Sequence, residues 1–407
     1  MRKLTAVFGS PVDEGALSQI ENCLADERAV AGALMADHHL GYSMPIGGVV
    51  AYDNAISPSG VGFDIACGNK AVRTSVYFGD VDRDIPRLVR EIHRTVAFGI
   101  GRTSGENVDH ELFDDPLWSE VELLSPGLRE KARQQLGTVG SGNHYVDLLY
   151  DEDGYLWVAT HFGSRGFGHT IASGFLSLAA GKAFTERVAE TEEPTILDLD
   201  TSVGELYMAL MRIAGRYAYA GRDYVVGQVL DILGTPNVTQ SVHCHHNFAW
   251  EEDGLVVVRK GATPLTSDLA FIGGSMGDIS AIVRGTGDDI GALDSAPHGA
   301  GRVMSRTKAA GKWKRTTVER TAPDGTTYTK KIRVRDASTA AVDWEATKRG
   351  LEKQGVTVLG SGADEAPQVY KSLREVLAQH SNIEIVHALT PVGVVMAGDD
   401  TFDPYKD

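Results

Sequence analysis

The stretch SAPHGAGRVMSRTK, residues 295–308, places a single histidine, His298, between a proline and the Gly-Ala-Gly sequence of residues 299–301. Arg302 and Arg306 follow it in the same stretch. Glycine lets a backbone approach a ligand closely and adopt a positive φ, so small residues around an ionisable ring leave room for a bound molecule. The stretch therefore predicts a binding or catalytic turn, whose role depends on where the other histidines lie.

The composition predicts a globular protein with a substantial core. The chain has 407 residues, of which 42% are hydrophobic and 23% charged, which is ordinary for a globular protein. Its three cysteines lie far apart, which argues against a disulfide framework and favours a reducing compartment. Neither a secretory signal nor an apolar run of the roughly 20 residues that span a membrane is visible. We therefore expect a cytoplasmic protein with no membrane partner.

Charge is distributed unevenly along the chain. The formal net charge of -16 disfavours broad, non-specific binding to nucleic acid, because phosphate contacts need a local excess of Lys and Arg. Residues 302–335, however, are dense in Lys and Arg, and only Glu319 and Asp324 oppose them. This segment fits either a polyanion bound at one place or a solvated, charged hairpin, and both interpretations stay open.

The hydrophobic pattern predicts helices over residues 82–96 and 202–232, the second weakened by three glycines. It also predicts a capped helix over residues 363–380. The inward-facing side chains of that helix would be Val369, Leu373, Val376 and Leu377.

Short β-branched runs predict buried strands, and Pro-Asp-Gly between two alternating runs predicts a hairpin over residues 315–335. The predicted strands are 156–160, 254–260 and 391–398. Helices and strands mix without a strict βαβ rhythm, which favours an α+β architecture over a doubly wound sheet. We expect a single large domain over residues 1–407, with a basic hairpin inserted at about 312–336.

Glycine is abundant and clusters near histidine along the chain, and glycine-rich turns with a polar side chain beside them are typical of the walls of a site. The stretches concerned are GFDIACGNK (62–70), GTVGSGNHYVD (137–147), THFGSRGFGHT (160–170), VHCHHNFAW (242–250), IGGSMGD (272–278) and HGAGRVMSR (298–306). Asp64 and Cys67 can point at one centre from a tight turn, and a thiolate can bridge two ions. Taken alone, this pair fits a turn aspartate beside a buried thiol better.

Histidines from three other segments add to the candidate ligands. His144 follows a glycine-rich turn, and His161 lies at the end of a predicted strand. If residues 243–246 are extended, His243 and His245 share one face while Cys244 and His246 share the other. Cys and His suit zinc, but the number of ligands exceeds what one tetrahedral ion needs, so a pair of ions is reasonable. Two neighbouring ions are the usual arrangement for displacement at phosphorus.

Phosphate chemistry fits the remaining motifs. Glycine-rich turns at 140–142, 273–275 and 299–301 can present backbone N–H groups to anionic oxygens, although none is a Walker loop or a dinucleotide fingerprint. The cations predicted to contact phosphates are Arg165, Arg259, Lys260 and Arg302.

With these motifs assembled, the sequence resembles the RtcB family of RNA ligases. That family joins an RNA 2′,3′-cyclic phosphate or 3′-phosphate end to a 5′-hydroxyl end, using GTP and Mn²⁺. The resemblance runs in order from about residue 45 to residue 398 and is carried by HGAGRVMSR, GSGNH and HFGSRGFGH. It implies an RtcB-like domain with mixed sheets around a central cleft for metal and nucleotide.

The resemblance also implies a role for each candidate residue. Two Mn²⁺ ions would share the sulfur of Cys67, with the remaining ligands being His161 and His246 on one ion and Asp64 and His144 on the other. His298 would become covalently guanylylated, and Arg165 and Arg302 would contact RNA. The residues implied to bind GTP are Asn143, Asp147, Gly274, Ser275, Met276, His298, Gly299, Ala300, Gly301 and Tyr370.

The implied reaction has three steps. Metal-activated water opens any cyclic phosphate, His298 attacks GTP and passes GMP to the RNA 3′-phosphate, and the 5′-hydroxyl then displaces GMP. A neutral imidazole is a competent nucleophile near pH 7. Its approach to the α-phosphate needs small neighbours, which Gly299 and Gly301 provide.

Three positions depart from the family pattern. Met396 stands where a lysine usually contacts the base, Asp147 replaces a glutamate that reaches guanine, and Pro297 replaces a cysteine. The first two changes affect base recognition, and none removes a metal ligand. Two alternatives to the ligase are a metal-dependent phosphoesterase or cyclic phosphodiesterase that lacks nucleotidyl transfer, and a non-catalytic protein that binds RNA ends.

Overall fold

The computed structural model describes residues 3–105, 107–188, 192–321 and 325–398. Within these ranges helices and mostly antiparallel sheets mix without a repeating βαβ unit, so the predicted α+β class is confirmed. None of the helices in these ranges combines the length and the apolar composition that crossing a bilayer would take.

The elements differ widely in length. The strands are β1 (Leu4–Val7), β2 (Ala29–His39), β3 (Ile46–Tyr52), β4 (Ala55–Ile56), β5 (Gly68–Tyr77), β6 (Ala97–Phe98), β7 (Thr138–Val139), β8 (Tyr145–Tyr150), β9 (Tyr155–His161), β10 (Leu197–Asp198), β11 (Val238–His245), β12 (Asn247–Glu252), β13 (Leu255–Lys260), β14 (Ala262–Pro264), β15 (Ala270–Ile272), β16 (Ser280–Gly285), β17 (Ser295–Pro297), β18 (Trp313–Thr321), β19 (Thr327–Arg335), β20 (Thr357–Ser361) and β21 (Ile383–Gly398). The helices are α1 (Glu14–Leu24), α2 (Pro58–Val61), α3 (Phe78–Val81), α4 (Ile85–Thr95), α5 (Trp118–Leu124), α6 (Leu128–Gln135), α7 (Arg165–Ala179), α8 (Ser202–Ile232), α9 (Arg306–Ala310), α10 (Trp344–Lys353) and α11 (Leu373–Leu377).

The largest sheet gathers strands from distant parts of the chain. Its order is β11-β5-β9-β8-β21-β16-β15, with β20 paired in parallel to β21. The pairs along the main path are antiparallel. Because β11 and β9 end at the edge where β5 and β8 begin, four chain segments meet at one edge of the sheet.

A second sheet lies next to this edge and brings in the opening stretch. Its order is β1-β2-β3-β13-β12, and the chain passes from β13 into the short β14. β14 pairs with β17, which ends directly before His298, and β2 packs against β17. The quoted stretch is therefore held between the two sheets.

The two helices predicted over residues 82–96 and 202–232 are present as α4 and α8. The glycines within α8 do not interrupt it, because they let the helix approach the sheet closely. A Cβ at Gly215 would lie 2.9 Å from the Phe248 ring, and one at Gly221 would lie 3.3 Å from the Phe162 ring. Loss of helix propensity at these positions is offset by packing.

The helix predicted over residues 363–380 is wrong over most of its length, since only α11 is an α-helix. Two 3₁₀ turns at Ala363–Glu365 and Pro367–Val369 precede it. Pro367 lacks a backbone N–H, and the backbone N–H groups of Val303 and Lys371 bond across to the carbonyls of Val369 (2.8 Å) and Gly301 (2.9 Å). This pairing with the His298 stretch keeps residues 369–371 out of an α-helix. The four side chains predicted to face inward are nevertheless buried.

The predicted strands and hairpin are present. Residues 156–160 lie in β9, residues 254–260 correspond to β13, and residues 391–398 form the end of β21. β18 and β19 pair from Trp313 opposite Arg335 to Thr321 opposite Thr327. Residues 322–324, with two residues of the predicted turn, lie outside the described residues.

A buried arginine ties α8 to the edge of the largest sheet. Arg222 is 0% exposed, and its guanidinium donates to the carbonyls of Phe162 (2.6 Å) and Ala66 (3.1 Å). Its other nitrogens contact the imidazoles of His243 (3.0 Å) and His245 (2.9 Å). These two histidines therefore share the face predicted for an extended backbone, and that face is turned towards α8.

Replacing Arg222 tests how much the stability of this edge of the largest sheet depends on its guanidinium. Arg222→Met would leave two buried carbonyls and two imidazole nitrogens without this donor, each lost buried partner costing about 1–3 kcal/mol. We expect the free energy of unfolding to fall by about 3 kcal/mol, measured by urea denaturation. Arg212→Met on the same helix is the control, because its pair with Glu251 is more than half exposed. Equal losses in the two variants would contradict the assigned role.

Candidate active site

Four of the predicted metal ligands lie at the edge where β11, β5, β9 and β8 meet. They are Cys67 before β5, His144 before β8, His161 at the end of β9 and His246 after β11. The register places Asn69 opposite His161, and His161 opposite Tyr145. Strand pairing alone therefore brings together side chains that are far apart in sequence.

The fifth predicted ligand, Asp64, comes from the turn that leads into β5. The backbone N–H of Cys67 donates to the carbonyl of Asp64 (3.1 Å), which closes the tight turn that the spacing predicted. Directly after it, a Cβ at Gly68 would lie 2.1 Å from the carbonyl oxygen of Cys244. Only glycine lets β5 approach β11 this closely.

The ligand atoms form two groups that share the Cys67 sulfur. In one group Cys67 Sγ lies 3.1 Å from His161 Nε2, which lies 3.2 Å from His246 Nε2. In the other, His144 Nε2 lies 3.0 Å from Asp64 Oδ2 and 3.6 Å from Cys67 Sγ. Within each group the ligand atoms lie within 4.8 Å of one another. The structure thus brings together all five residues in the pairing that the resemblance implied.

Hydrogen bonding and burial leave imidazole lone pairs directed into the cluster. His161 Nδ1 lies 2.9 Å from the carbonyl of Asn143, to which it donates, so Nε2 carries the lone pair. Burial lowers the pKa of His161 to about 3 and lowers the pKa of His246 well below its usual value. Both rings are therefore neutral at pH 7, as metal ligands must be.

The ionisation of Asp64 and Cys67 also fits a bound cation. Burial raises the pKa of Asp64, but the charge and hydrogen bond of His144 outweigh it and bring this pKa to about 2. Burial, together with the Asp64 carboxylate, raises the pKa of the Cys67 thiol well above its usual value. A thiolate at this place therefore requires a cation beside it, and a metal deprotonates such a thiol outright. The donor set of one carboxylate, one sulfur and three imidazoles fits divalent transition metals.

His298 lies beside this cluster. Its ring centroid is 4.8 Å from that of His246, and the turn around it is tightly packed. A Cβ at Gly299 would lie 3.0 Å from the carbonyl oxygen of Gly273, and Gly301 has φ +73°. The small residues of the opening stretch therefore serve to bring this ring against its neighbours.

Sequence reasoning missed the partner of His298, which is Asp37 on β2. Asp37 is fully buried, and its Oδ2 accepts hydrogen bonds from Nδ1 (2.7 Å) and the backbone N–H (3.1 Å) of His298. Burial raises the pKa of Asp37, but the hydrogen bond and charge of His298 lower it overall. The carboxylate therefore fixes the ring with Nδ1 protonated and leaves the lone pair on Nε2. A charged residue within the apolar run AGALMAD was the available signal.

A cavity of about 750 Å³ joins His298 to the ligand cluster, within the size range of small-molecule sites. Arg302 and Lys260 also line it. The remaining residues implied to bind nucleotide line the same cavity: Asn143, Asp147, Gly274, Ser275, Met276, Gly299, Ala300, Gly301 and Tyr370.

Two of the predicted phosphate contacts are not among the described residues that line this cavity. Arg165 is outside the described lining of the cavity and donates to the carbonyl of Gly99 (3.3 Å). The prediction for Arg259 is wrong, because this side chain is 0% exposed and makes two bonds to the Glu252 carboxylate (2.7 and 2.8 Å). The same guanidinium also donates to the Ser295 hydroxyl (2.8 Å) and the Leu293 carbonyl (3.0 Å), so its hydrogen-bonding capacity is used within the protein.

One wall of the cavity carries a carboxyl group without a hydrogen-bond partner. Asp147 is 7% exposed, and its Oδ1 contacts no donor among the described residues. Burial raises its pKa well above the usual value. Met276 and Met396 lie on the same cavity, and Tyr370 is held there by the guanidinium of Arg302, which donates to its hydroxyl (3.1 Å).

The turn after His298 can be tested by filling it. A Cβ at Gly301 would lie 2.1 Å from the Asp37 carbonyl oxygen, so Gly301→Ala combines a backbone clash with a strained φ. Gly287→Ala is the control, since Gly287 has φ +85° with open space around it. We expect Gly287→Ala to lower the free energy of unfolding by about 1–2 kcal/mol and Gly301→Ala to lower it by at least about 2 kcal/mol more. Similar values for the two variants in denaturant titrations would show that the turn is loosely packed.

Comparison with known proteins identifies the family of this chain. The family model described as tRNA-splicing ligase RtcB matches residues 19–124 and 118–397. The RNA-splicing ligase RtcB of Escherichia coli strain K12 is 30% identical over 400 residues, covering 88% of each chain. The tRNA-splicing ligase RtcB of Archaeoglobus fulgidus is 28% identical and covers 90% of this chain and 87% of its own. The protein of the same name from Pyrobaculum aerophilum is 32% identical over 68% of this chain and 73% of its own. The chain belongs to the RtcB family.

Proposed function

We propose that this protein is an RNA ligase that joins a 3′-phosphate or 2′,3′-cyclic phosphate end to a 5′-hydroxyl end through a nucleotide bound covalently to His298. GTP is the proposed nucleotide, Mn²⁺ the proposed metal and the cytoplasm the proposed location. Family membership supports the ligase activity. The contact between His298 Nδ1 and the buried Asp37 is the observation that carries the covalent step.

The tautomer of His298 determines which nitrogen can react. With Nδ1–H donated to Asp37, the lone pair of Nε2 attacks the α-phosphorus of GTP, and the bond to pyrophosphate breaks. The positive charge that develops on the ring is stabilised by the Asp37 carboxylate, as in catalytic triads. Asp37 can stabilise this positive charge as long as its carboxyl group is ionised, and its lowered pKa favours the ionised form.

The second step acts on the same phosphorus, and the third acts on the phosphorus of the RNA 3′-phosphate. An oxygen of the RNA 3′-phosphate attacks the nucleotide phosphorus, the P–N bond to His298 breaks, and the ring returns to its neutral form. The 5′-hydroxyl then attacks the activated RNA phosphate, and GMP leaves. Arg302 lines the cavity, where its guanidinium contacts the Glu365 carboxylate (3.4 Å), the Tyr370 hydroxyl (3.1 Å) and the Asp364 carbonyl (2.7 Å). In the proposed reaction it would exchange part of these contacts for phosphate oxygens.

The two metal ions would be held by the ligand cluster, whose residues are Asp64, Cys67, His144, His161 and His246. When bound, such ions stabilise the negative charge that develops on phosphoryl oxygens. The chain itself supplies the buried, neutral imidazoles and the thiol that requires a neighbouring cation.

Base recognition would depend on Asp147, Tyr370 and Met396, which line the same cavity. Asp147 offers carboxyl oxygens to a base, and Tyr370 offers an aromatic face, but Met396 supplies no hydrogen bond. An ionised Asp147 would accept two N–H bonds from guanine, whereas its raised pKa favours the protonated form. ATP therefore belongs in the test beside GTP.

The test is formation of the covalent adduct in the absence of RNA. Protein with Mn²⁺ and α-labelled GTP should form an acid-labile adduct that His298→Ala abolishes, because Nε2 is the nucleophile. Asp37→Asn should slow adduct formation on the order of 10²–10⁴-fold by disturbing the tautomer, with metal content unchanged. His93→Ala, an exposed histidine on α4, is the matched control and should react as the wild type does.

Two results would contradict the proposal. No adduct with either GTP or ATP, together with hydrolysis of 2′,3′-cyclic phosphate ends, would identify the phosphoesterase alternative. An adduct that survives in His298→Ala would place the nucleophile elsewhere. Adduct formation with ATP but not GTP would retain the ligase chemistry and correct the nucleotide.

A further inference from the structure

β18 and β19 form an exposed ribbon, here called the basic ribbon, that begins next to the cavity. Arg306, the first residue of α9, lines the cavity, and the chain passes through Gly311 into β18. At the base of the ribbon, Arg335 donates to the carbonyl of Gly311 (3.1 Å) and lies over the Trp313 ring, 4.2 Å from its centroid. The ribbon is thereby fixed to the segment that also carries His298.

The charge of the basic ribbon is opposite to that of the whole protein. β18 carries three basic residues and β19 carries four, against the single acidic residue Glu319. The chain as a whole has a net charge of -16. This ribbon is therefore a local positive surface on an acidic protein, and it begins beside the cavity that holds His298.

The register of the ribbon places basic side chains on both faces and sets two of them directly against each other. One face carries Arg315, Lys331, Arg333 and Arg335 with Glu319, and the other carries Lys314, Arg320 and Lys330. Arg315 lies directly opposite Arg333, and the next pairs on the same face are Thr317 with Lys331 and Trp313 with Arg335. Like charges directly opposite each other destabilise a strand pair. A two-stranded hairpin with mostly exposed side chains has little burial to offset that repulsion. A polyanion bound along the ribbon would neutralise this pair of like charges.

We propose that the basic ribbon binds the phosphate backbone of the RNA substrate away from the ends that react. This inference rests on the proposed ligase function. Each strand has nine residues and so extends for roughly 30 Å, which is long enough to follow several phosphates beyond the cavity. Contacts of this kind position a nucleic acid without reading its sequence. The substrates are therefore RNAs with a body of several nucleotides next to the break, rather than short ends alone.

The test compares two variants that each lose three exposed positive charges. The ribbon variant carries Arg315→Gln, Lys331→Gln and Arg333→Gln, which lie on one face of the basic ribbon. The control variant carries Arg83→Gln, Arg90→Gln and Arg94→Gln at exposed positions on and next to α4. Fluorescence anisotropy with a labelled stem-loop RNA, without nucleotide or metal, measures Kd as a function of salt. We expect the ribbon variant to bind about tenfold more weakly at low salt and to lose about two units of the slope of log Kd against log salt.

Kinetics separate positioning from chemistry. With the stem-loop RNA the ribbon variant should show a raised KM and an unchanged kcat, and with a tetranucleotide it should match the wild type. Adduct formation without RNA should be unchanged. If the wild type does not ligate RNA, the proposed function is wrong. The anisotropy measurement still shows whether the basic ribbon binds RNA, because it needs no catalysis.

Two outcomes would overturn the inference about the ribbon. One is equal Kd values and salt slopes for the ribbon variant and the α4 control variant. The other is a loss of self-association in sedimentation with RNA affinity unchanged, which would assign the ribbon to an acidic surface of a second copy of the chain.

Discussion

The antiparallel register of β11, β5, β9 and β8 is the constraint on which the site depends. Because neighbouring strands run in opposite directions, two strand ends and two strand beginnings meet at one edge and carry the cluster residues Cys67, His144, His161 and His246. A one-residue slip in any of these pairs would turn its ligand to the other face. The absence of a side chain at Gly68 allows the closest of these approaches. Backbone hydrogen bonds, rather than local sequence, therefore determine the geometry of the cluster.

Two buried charges connect this edge to its surroundings. Arg222 holds the carbonyls next to Cys67 and His161 from the α8 side, and Asp37 holds His298 from the β2 side. Each charge is fully buried; every nitrogen of the Arg222 guanidinium is hydrogen-bonded, and Asp37 is engaged through Oδ2, while its Oδ1 has no hydrogen-bond partner among the described residues. Such partners are the condition under which a buried ion is tolerated. The cluster and the proposed nucleophile are thus supported from opposite sides by groups that do not line the cavity. This arrangement explains how a turn of small residues can keep one ring in a fixed orientation.

The sequence predicted the parts of the structure that depend on local pattern. The periodicity of α4 and α8, the alternation of the basic ribbon and the glycine-flanked histidines were all visible without coordinates. Asp37 and Arg222 were missed because each lies in an apolar stretch, where its partner comes from a distant element. Residues 363–372 were misjudged for a similar reason, since pairing with the His298 stretch overrides their helical pattern. The roles of the cluster residues in metal binding, and of Asp147 in base recognition, stay predictions.

Crystals grown with Mn²⁺ and measured near the manganese absorption edge would test the central claim most directly. The account predicts two anomalous peaks that share the Cys67 sulfur, one bounded by His161 and His246 and the other by Asp64 and His144. Absence of any peak in this cluster, or manganese bound only outside it, would contradict the account.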